Sequence, residues 1–263
     1  MKKIAVNFSG AVRTFAYCAD SIIKNIIQVL REEYEVYIFG DFWILKEKNM
    51  KHDMKWKKDC SESIDKIKIF GFNEYNIEEY DSEWEKKIIS QCNGQEILDE
   101  YQKIKNENDK ESYIGYAMNC MGMYFKIKKA QELMENYETV NNINFDYVIR
   151  IRPDFYWNDK IPLDLISKLD DNNILLVKDS YCINAKWEGN DKFFMAKYNV
   201  MKKYAKVFDK IKYFFNKNIR IEGQNIAKYM IKEMDLQILF FGDDKTYDKA
   251  TGKFIKHKFK IRL

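Results

Sequence analysis

Residues 147–157, YVIRIRPDFYW, run from an apolar strand straight into charge. In an extended chain side chains alternate between faces, so Tyr147, Ile149 and Ile151 share one face while Arg150, Arg152 and Asp154 share the other. Pro153, one of two prolines in the chain, has no N–H for a sheet ladder and biases Arg152 toward extended backbone. Regular pairing is therefore expected to stop there, with Asp154 on a stiff exit from the sheet. Three charges gathered at the carboxyl end of a buried strand need partners or a ligand.

The sequence on either side alternates strands and helices. Lys3–Phe8 reads as a strand, SGAVRTF as a turn, and Cys18–Arg31 as a helix through Ile22, Ile23, Ile26, Ile27 and Leu30. Tyr34–Phe39 follows as a second strand, completing a strand–helix–strand unit of the kind that pairs in parallel. IDKIKIFGF, residues 64–72, reads as a third strand. Residues 73–109 are expected to be irregular with one helix near 95–104, and 44–110 looks like a variable insert. Ser112–Tyr137 has helical spacing through Met118, Met121, Tyr124, Ile127 and Leu133, its methionines serving as core filler. Further strands are expected at 145–152, 173–177, 193–198 and 236–241, and helices at 200–215 and 222–234. The pattern predicts an α/β fold: a single domain over 1–263 with a mostly parallel central sheet flanked by helices.

Composition narrows the function classes. The chain has 263 residues, 46% of them apolar, enough for a substantial core. Its 45 basic and 41 acidic residues leave a net charge of +4, too small to suggest nucleic acid. The excess is concentrated in a basic tail, residues 245–263, whose Phe254, Ile255, Phe259 and Ile261 could let it touch an anionic membrane; a frayed terminal segment is the plainer reading. Cys18, Cys60, Cys92, Cys120 and Cys182 are odd in number and contain no C-x-x-C pair, which speaks against a disulfide framework or zinc knuckle. No stretch approaches the ~20 apolar residues of a membrane span, and MKKIAVNFSGAV is a poor signal peptide. The expected compartment is the cytosol, with contact at the inner face of a membrane open to the basic tail.

In open α/β sheets ligands sit beyond the carboxyl ends of the strands. Four such segments carry chemistry. In the first, Ser9 and Gly10 could offer backbone amides and Arg13 could reach an anion, although NFSGAVRTF is neither a G-x-G-x-x-G loop nor a Walker loop. In the second, FGDFW, Asp41 stands beside Trp43 and could take ribose or sugar hydroxyls; a helix-capping role is the alternative. The third is the opening stretch, whose arginines should be neutralised by phosphate or by Asp146, Asp154 or Asp191. The fourth supplies Asp191, Glu222 and Gln224, where either acid could instead be an N-cap or a surface residue. A missing G-x-G in the first turn disfavours a Rossmann-type methyltransferase.

Together, SGAVRTF, a long helix ending in MENYE, FDYVIRIRPDFYW, NDKFFMAKYNVMKKY and EGQNIAKYMI resemble the GT-A-like glycosyltransferases of bacterial surface-polysaccharide loci and large DNA viruses. The resemblance covers most of the chain, loosely at 44–110, and its most specific piece is R-x-R-P-D. It implies a sugar transferred from a nucleotide-sugar donor, a UDP- or GDP-sugar, to a glycan or lipid-linked glycan acceptor. It also implies Mn²⁺ or Mg²⁺ held by a D-x-D motif. Asp154 matches the last acid of that motif, but Arg152 replaces the first, so arginine could neutralise the phosphates in place of the metal. On this reading Ser9, Gly10, Arg13, Asp41, Arg150 and Arg152 serve the nucleotide and Asp154 a metal. If the reaction inverts configuration, Asp191 is the expected general base and Glu222 the reserve. A non-catalytic nucleotide- or sugar-binding protein of the same fold is the alternative.

Overall fold

The structure is a computed structural model that describes residues 1–45, 59–178 and 189–243 together with the short pairs 247–248 and 253–254. In chain order its elements begin with β1 (Lys3–Ala11), α1 (Phe15–Ile22), a π-helical turn (Ile23–Ile27) and α2 (Gln28–Leu30). There follow β2 (Glu35–Leu45), α3 (Asp59–Ile69), β3 (Glu74–Tyr80), α4 (Ser82–Gln91), α5 (Gln95–Gln102) and α6 (Glu107–Asn141). The second half comprises β4 (Tyr147–Ile151), α7 (Leu163–Ile166), β5 (Asn173–Lys178), β6 (Gly189–Lys197), α8 (Tyr198–Tyr204), α9 (Ile211–Asn216), α10 (Gly223–Glu233) and β7 (Gln237–Asp243). β8 (Tyr247–Asp248) and β9 (Lys253–Phe254) pair with each other.

Seven strands form one mixed sheet in the order β3-β2-β1-β4-β6-β5-β7. β6 alone runs against its neighbours, antiparallel to both β4 and β5, while the other pairings are parallel. Alternation along each strand divides the core in two, as period-two side chains require. Ala5, Val148, Ile174, Leu176 and Phe194 face α6 and the α8–α10 region, whereas Ile4, Val6, Phe8, Ile149, Leu175 and Met195 face α1 and α3. Arg150, between Val148 and Arg152, belongs to the α6 face.

α6 is longer than the sequence pattern predicts, 35 residues against an expected 112–137. Asn106 caps its start, accepting from the backbone N–H groups of Asn108 and Asp109, and Asn142 ends it in the left-handed region at φ 52°. At about 1.5 Å per residue it spans ~52 Å, lying along β1, β2 and β3.

Three expectations are corrected. The stretch 64–72 is not a strand: Ser63 and Ile67 bury one side of α3 at helical spacing, and Phe70, just past its end, continues that buried side. The strand is instead EYNIEEY, whose polar composition suits an edge and conceals it in a search for apolar runs. Residues 73–109 are accordingly regular, holding β3, α4 and α5. SGAVRTF is not wholly a turn either, because β1 continues to Ala11 with Gly10 opposite Phe42 and Ala11 opposite Trp43. Most of the basic tail, Cys182 and the side chain of Cys60 lie outside the described residues. Among those described, no helix is long and apolar enough to cross a membrane.

Candidate functional site

A cleft of about 540 Å³ opens over the carboxyl ends of β3, β2, β1 and β4 and the start of β6, within the usual range of ~300–1,000 Å³ for ligand sites. β6 owes its place there to its direction. Running against β4, it sets Ile151 opposite Phe193, and the Arg152 N–H donates to the Lys192 carbonyl at 2.9 Å, so Asp191 arrives beside Arg152.

Arg150 is the buried centre of the site, 1% exposed. Its Nε donates to Ser9 Oγ at 3.0 Å, its Nη1 donates to the backbone carbonyl of Asp191, and its Nη2 has no hydrogen-bond partner among the described residues. A buried guanidinium N–H without an acceptor is costly. Burial pulls the arginine down to about 10, with nearby Asp191 opposing the shift and Arg152 adding to it, which still leaves it protonated at neutral pH. Ser9 is therefore not an exposed turn residue; it is fully buried and holds Arg150 by its hydroxyl. Gly10 sits at φ +125°, open only to glycine, with Pro153 close by.

Above Arg150 runs a chain of ion pairs. Arg152 grips Asp154 with both arms of its fork, Nε to Oδ1 at 2.9 Å and Nη2 to Oδ2 at 2.8 Å, and Arg13 Nη1 reaches the same Oδ2 at 3.4 Å. On its other side Arg152 Nη1 lies 3.8 Å from Asp191 Oδ1. Burial disfavours the charge on Asp154, but Arg152, then Arg13, outweigh it and hold the carboxyl well below the usual range. Asp146, the other acid expected near the arginines, instead accepts from the Lys3 backbone N–H at 2.8 Å.

Asp154 does not fit a divalent cation in this arrangement. Both of its oxygens face guanidinium groups, and among the described residues no group of three or more His, Cys, Asp or Glu side chains could hold a metal ion.

Asp191 and Glu222 both line the cleft. Gly223 makes room for the first, since a Cβ there would come within 2.6 Å of Asp191 Oδ2. Tyr124, fully buried and with its hydroxyl pushed upward by burial, donates to the Gly223 carbonyl at 2.8 Å and pins the start of α10. Glu222 occupies the N-cap position of α10 without capping it; its Oε2 accepts from Asn225 at 3.3 Å and lies 3.6 Å from Arg220 Nε. Among the described residues that line the cleft, four basic side chains, Arg13, Arg150, Arg152 and Lys192, stand against three acids, Asp154, Asp191 and Glu222, an excess of one positive charge.

Asp41 is placed elsewhere. It is 2% exposed, ion-paired to the fully buried Lys126 of α6 at 2.5 Å and bonded by Asn76 at 3.2 Å, so it neither caps a helix nor lines the cleft. Lys126 also meets Glu78 at 2.6 Å and lies 3.6 Å over the ring of Trp43, which does line the cleft. Lys126 resembles a solvated lysine in YFKIKK, and only the burial of its helix face distinguishes it.

Arg13 sits at φ 24°, an unfavourable backbone region for a side-chain-bearing residue. Arg13→Gly and Arg13→Ala lose the same contact with Asp154, but only glycine relieves this backbone. Even after glycine's entropic cost, the Gly variant is expected to be the more stable by up to about 1 kcal/mol in urea denaturation. A more stable Ala variant would mean the backbone is unstrained.

No known family model matches the chain, and no curated protein matches it. The functional reading therefore rests on the cleft.

Proposed function

We propose that this protein is a glycosyltransferase that takes a nucleotide-sugar donor, a UDP- or GDP-sugar, and passes the sugar to a glycan or lipid-linked glycan acceptor. The observation that carries this reading is Arg150, a guanidinium buried under the carboxyl ends of the strands, its Nη2 unpartnered among the described residues, with Arg13 and Arg152 above it. A diphosphate in the cleft would meet Arg13 and Arg152, with the charge of Arg150 beneath them. In transfer the bond from sugar C1 to the β-phosphate oxygen breaks, its electron pair leaving with the diphosphate, while the acceptor oxygen bonds to C1. Guanidinium groups already fixed in place stabilise that growing negative charge without reorganising. The acceptor's proton passes to Asp191, with Glu222 as the alternative base, and the outcome is inversion.

The arginines, rather than a metal at Asp154, are assigned the diphosphate, because Asp154 is already committed to Arg152 and Arg13. A cytosolic setting suits the unpaired, buried Cys18, Cys92 and Cys120. One observation favours the non-catalytic alternative: Asp191 is itself within ion-pair range of Arg152, and a purely binding protein would need it only for charge balance. Release of nucleoside diphosphate from a donor sugar separates the two.

The direct test is a thermal-shift screen with UDP, GDP, CMP and TDP, each with EDTA and with Mn²⁺. A ligand at 100 times its Kd stabilises by about 2.7 kcal/mol. At least one nucleotide is expected to raise the melting temperature in EDTA, and Arg13→Ala to remove most of that rise. No shift with any of the four at millimolar concentration would end the transferase reading.

A further inference from the structure

We infer that Ser63, a residue of α3 far from the cleft in sequence, is a positioning residue that sets Arg13 for the diphosphate; this rests on the nucleotide reading of the cleft. The turn that carries Arg13 is built from few bonds. The Val12 N–H donates to the Trp43 carbonyl at 3.0 Å, tying the end of β1 to β2, and the Phe15 N–H donates to the Val12 carbonyl at 2.8 Å, closing the turn. Arg13 lies inside that turn at φ 24°, and no backbone N–H among the described residues donates to its carbonyl. Ser63 Oγ does so instead, donating to the Arg13 carbonyl at 2.9 Å.

The same hydroxyl accepts from the Ala16 N–H at 3.1 Å. Thr14, at the N-cap position of α1, makes no side-chain cap bond, so Ser63 provides from another helix the oxygen that a first-turn N–H needs. One fully buried side chain thus joins the backbone of Arg13 to the first turn of α1. Its own position is fixed by apolar packing, with Ile67 and Phe70 of the same segment in the core and the Phe70 ring 5.0 Å from that of Phe15. Backbone held in a sparsely populated region persists only where its surroundings over-determine it, and such residues gather at binding sites. Here the constraint aims the Arg13 guanidinium at Asp154 and the cleft.

A residue that merely caps α1 would affect stability alone, so the test reads ligand affinity. Isothermal titration with inorganic pyrophosphate, UDP and GDP compares wild type, Ser63→Ala, Arg13→Ala and the double variant. Ser63→Ala is expected to weaken diphosphate binding about tenfold, the scale of one lost hydrogen bond at a charged site. In the Arg13→Ala background it should change nothing further, because the group it positions is gone. Ser63→Thr keeps the hydroxyl and should bind as wild type does, which also provides a folded comparison if the alanine variant is too unstable to titrate. Unchanged affinity in Ser63→Ala, an additive loss in the double variant, or a Thr variant that folds but binds poorly would each overturn the inference. A wild-type protein that binds none of the three ligands would overturn the nucleotide reading itself, and this inference with it.

Discussion

Replacing Asp154 with asparagine is expected to lower the free energy of unfolding by about 3 kcal/mol at neutral pH, the low end of what breaking a buried ion pair costs. The low end applies because the arginine side chains that meet Asp154, Arg13 and Arg152, keep 34% and 26% of their surface exposed while the carboxylate keeps 11%. Asparagine fills the same volume, so the loss is one of charge. The pH dependence carries a sign. Arg152 and Arg13 hold the folded carboxyl well below its usual range, so the unfolded chain takes up the proton first as acid is added. The stabilisation is therefore complete above about pH 4, the ordinary aspartate value, and drains away as the pH falls toward the folded value. In urea denaturation the gap between wild type and Asp154→Asn should be level from pH 7 to 5 and narrow below pH 4. A gap that persists in acid, or a variant as stable as wild type, would mean that the arginines do not depend on this carboxylate.

The second large effect is expected at Asp191. If its carboxylate takes the acceptor's proton, Asp191→Asn should cut nucleoside diphosphate release from the donor by about 10² to 10⁴-fold, the usual contribution of a placed base. Donor affinity should stay close to wild type, for a structural reason. The Asp191 atom that holds Arg150 is the backbone carbonyl, which the substitution leaves in place. The ion pair given up with Arg152 is long, at 3.8 Å, and worth at most about 1 kcal/mol. Near-normal release would move the role to Glu222 or remove the inverting mechanism, and a variant that loses donor binding but reacts normally at saturation would make Asp191 a binding residue.

What was legible in the sequence was what local spacing dictates. The opening strand announces itself through alternation and ends where Pro153 requires, and Arg152 and Asp154 are two residues apart, so their bidentate contact is nearly a local event. Gly10 and Arg13 similarly flank the end of an evident strand. Long-range pairing was not legible. Nothing in NDKFFMAK says that β6 runs antiparallel to β4, yet that direction is what sets the Asp191 carboxylate beside Arg152 and its carbonyl against Arg150. The place of Asp41 is not legible either, because the lysine that claims it is on α6, whose buried face shows only once the helix lies on the sheet. Ser63 was hidden by the isoleucine and lysine alternation of IDKIKI, which imitates a strand while Ser63, Ile67 and Phe70 keep helical time.

A transferase of this kind requires the arginine floor of the cleft to bind a diphosphate on its own. Isothermal titration of UDP and GDP into the wild-type chain in excess EDTA measures this directly. The expected result is saturable binding of at least one of them at millimolar affinity or tighter, weakening as salt is raised, because the contacts are charged. Absence of binding by both, or binding that requires Mn²⁺, would contradict it.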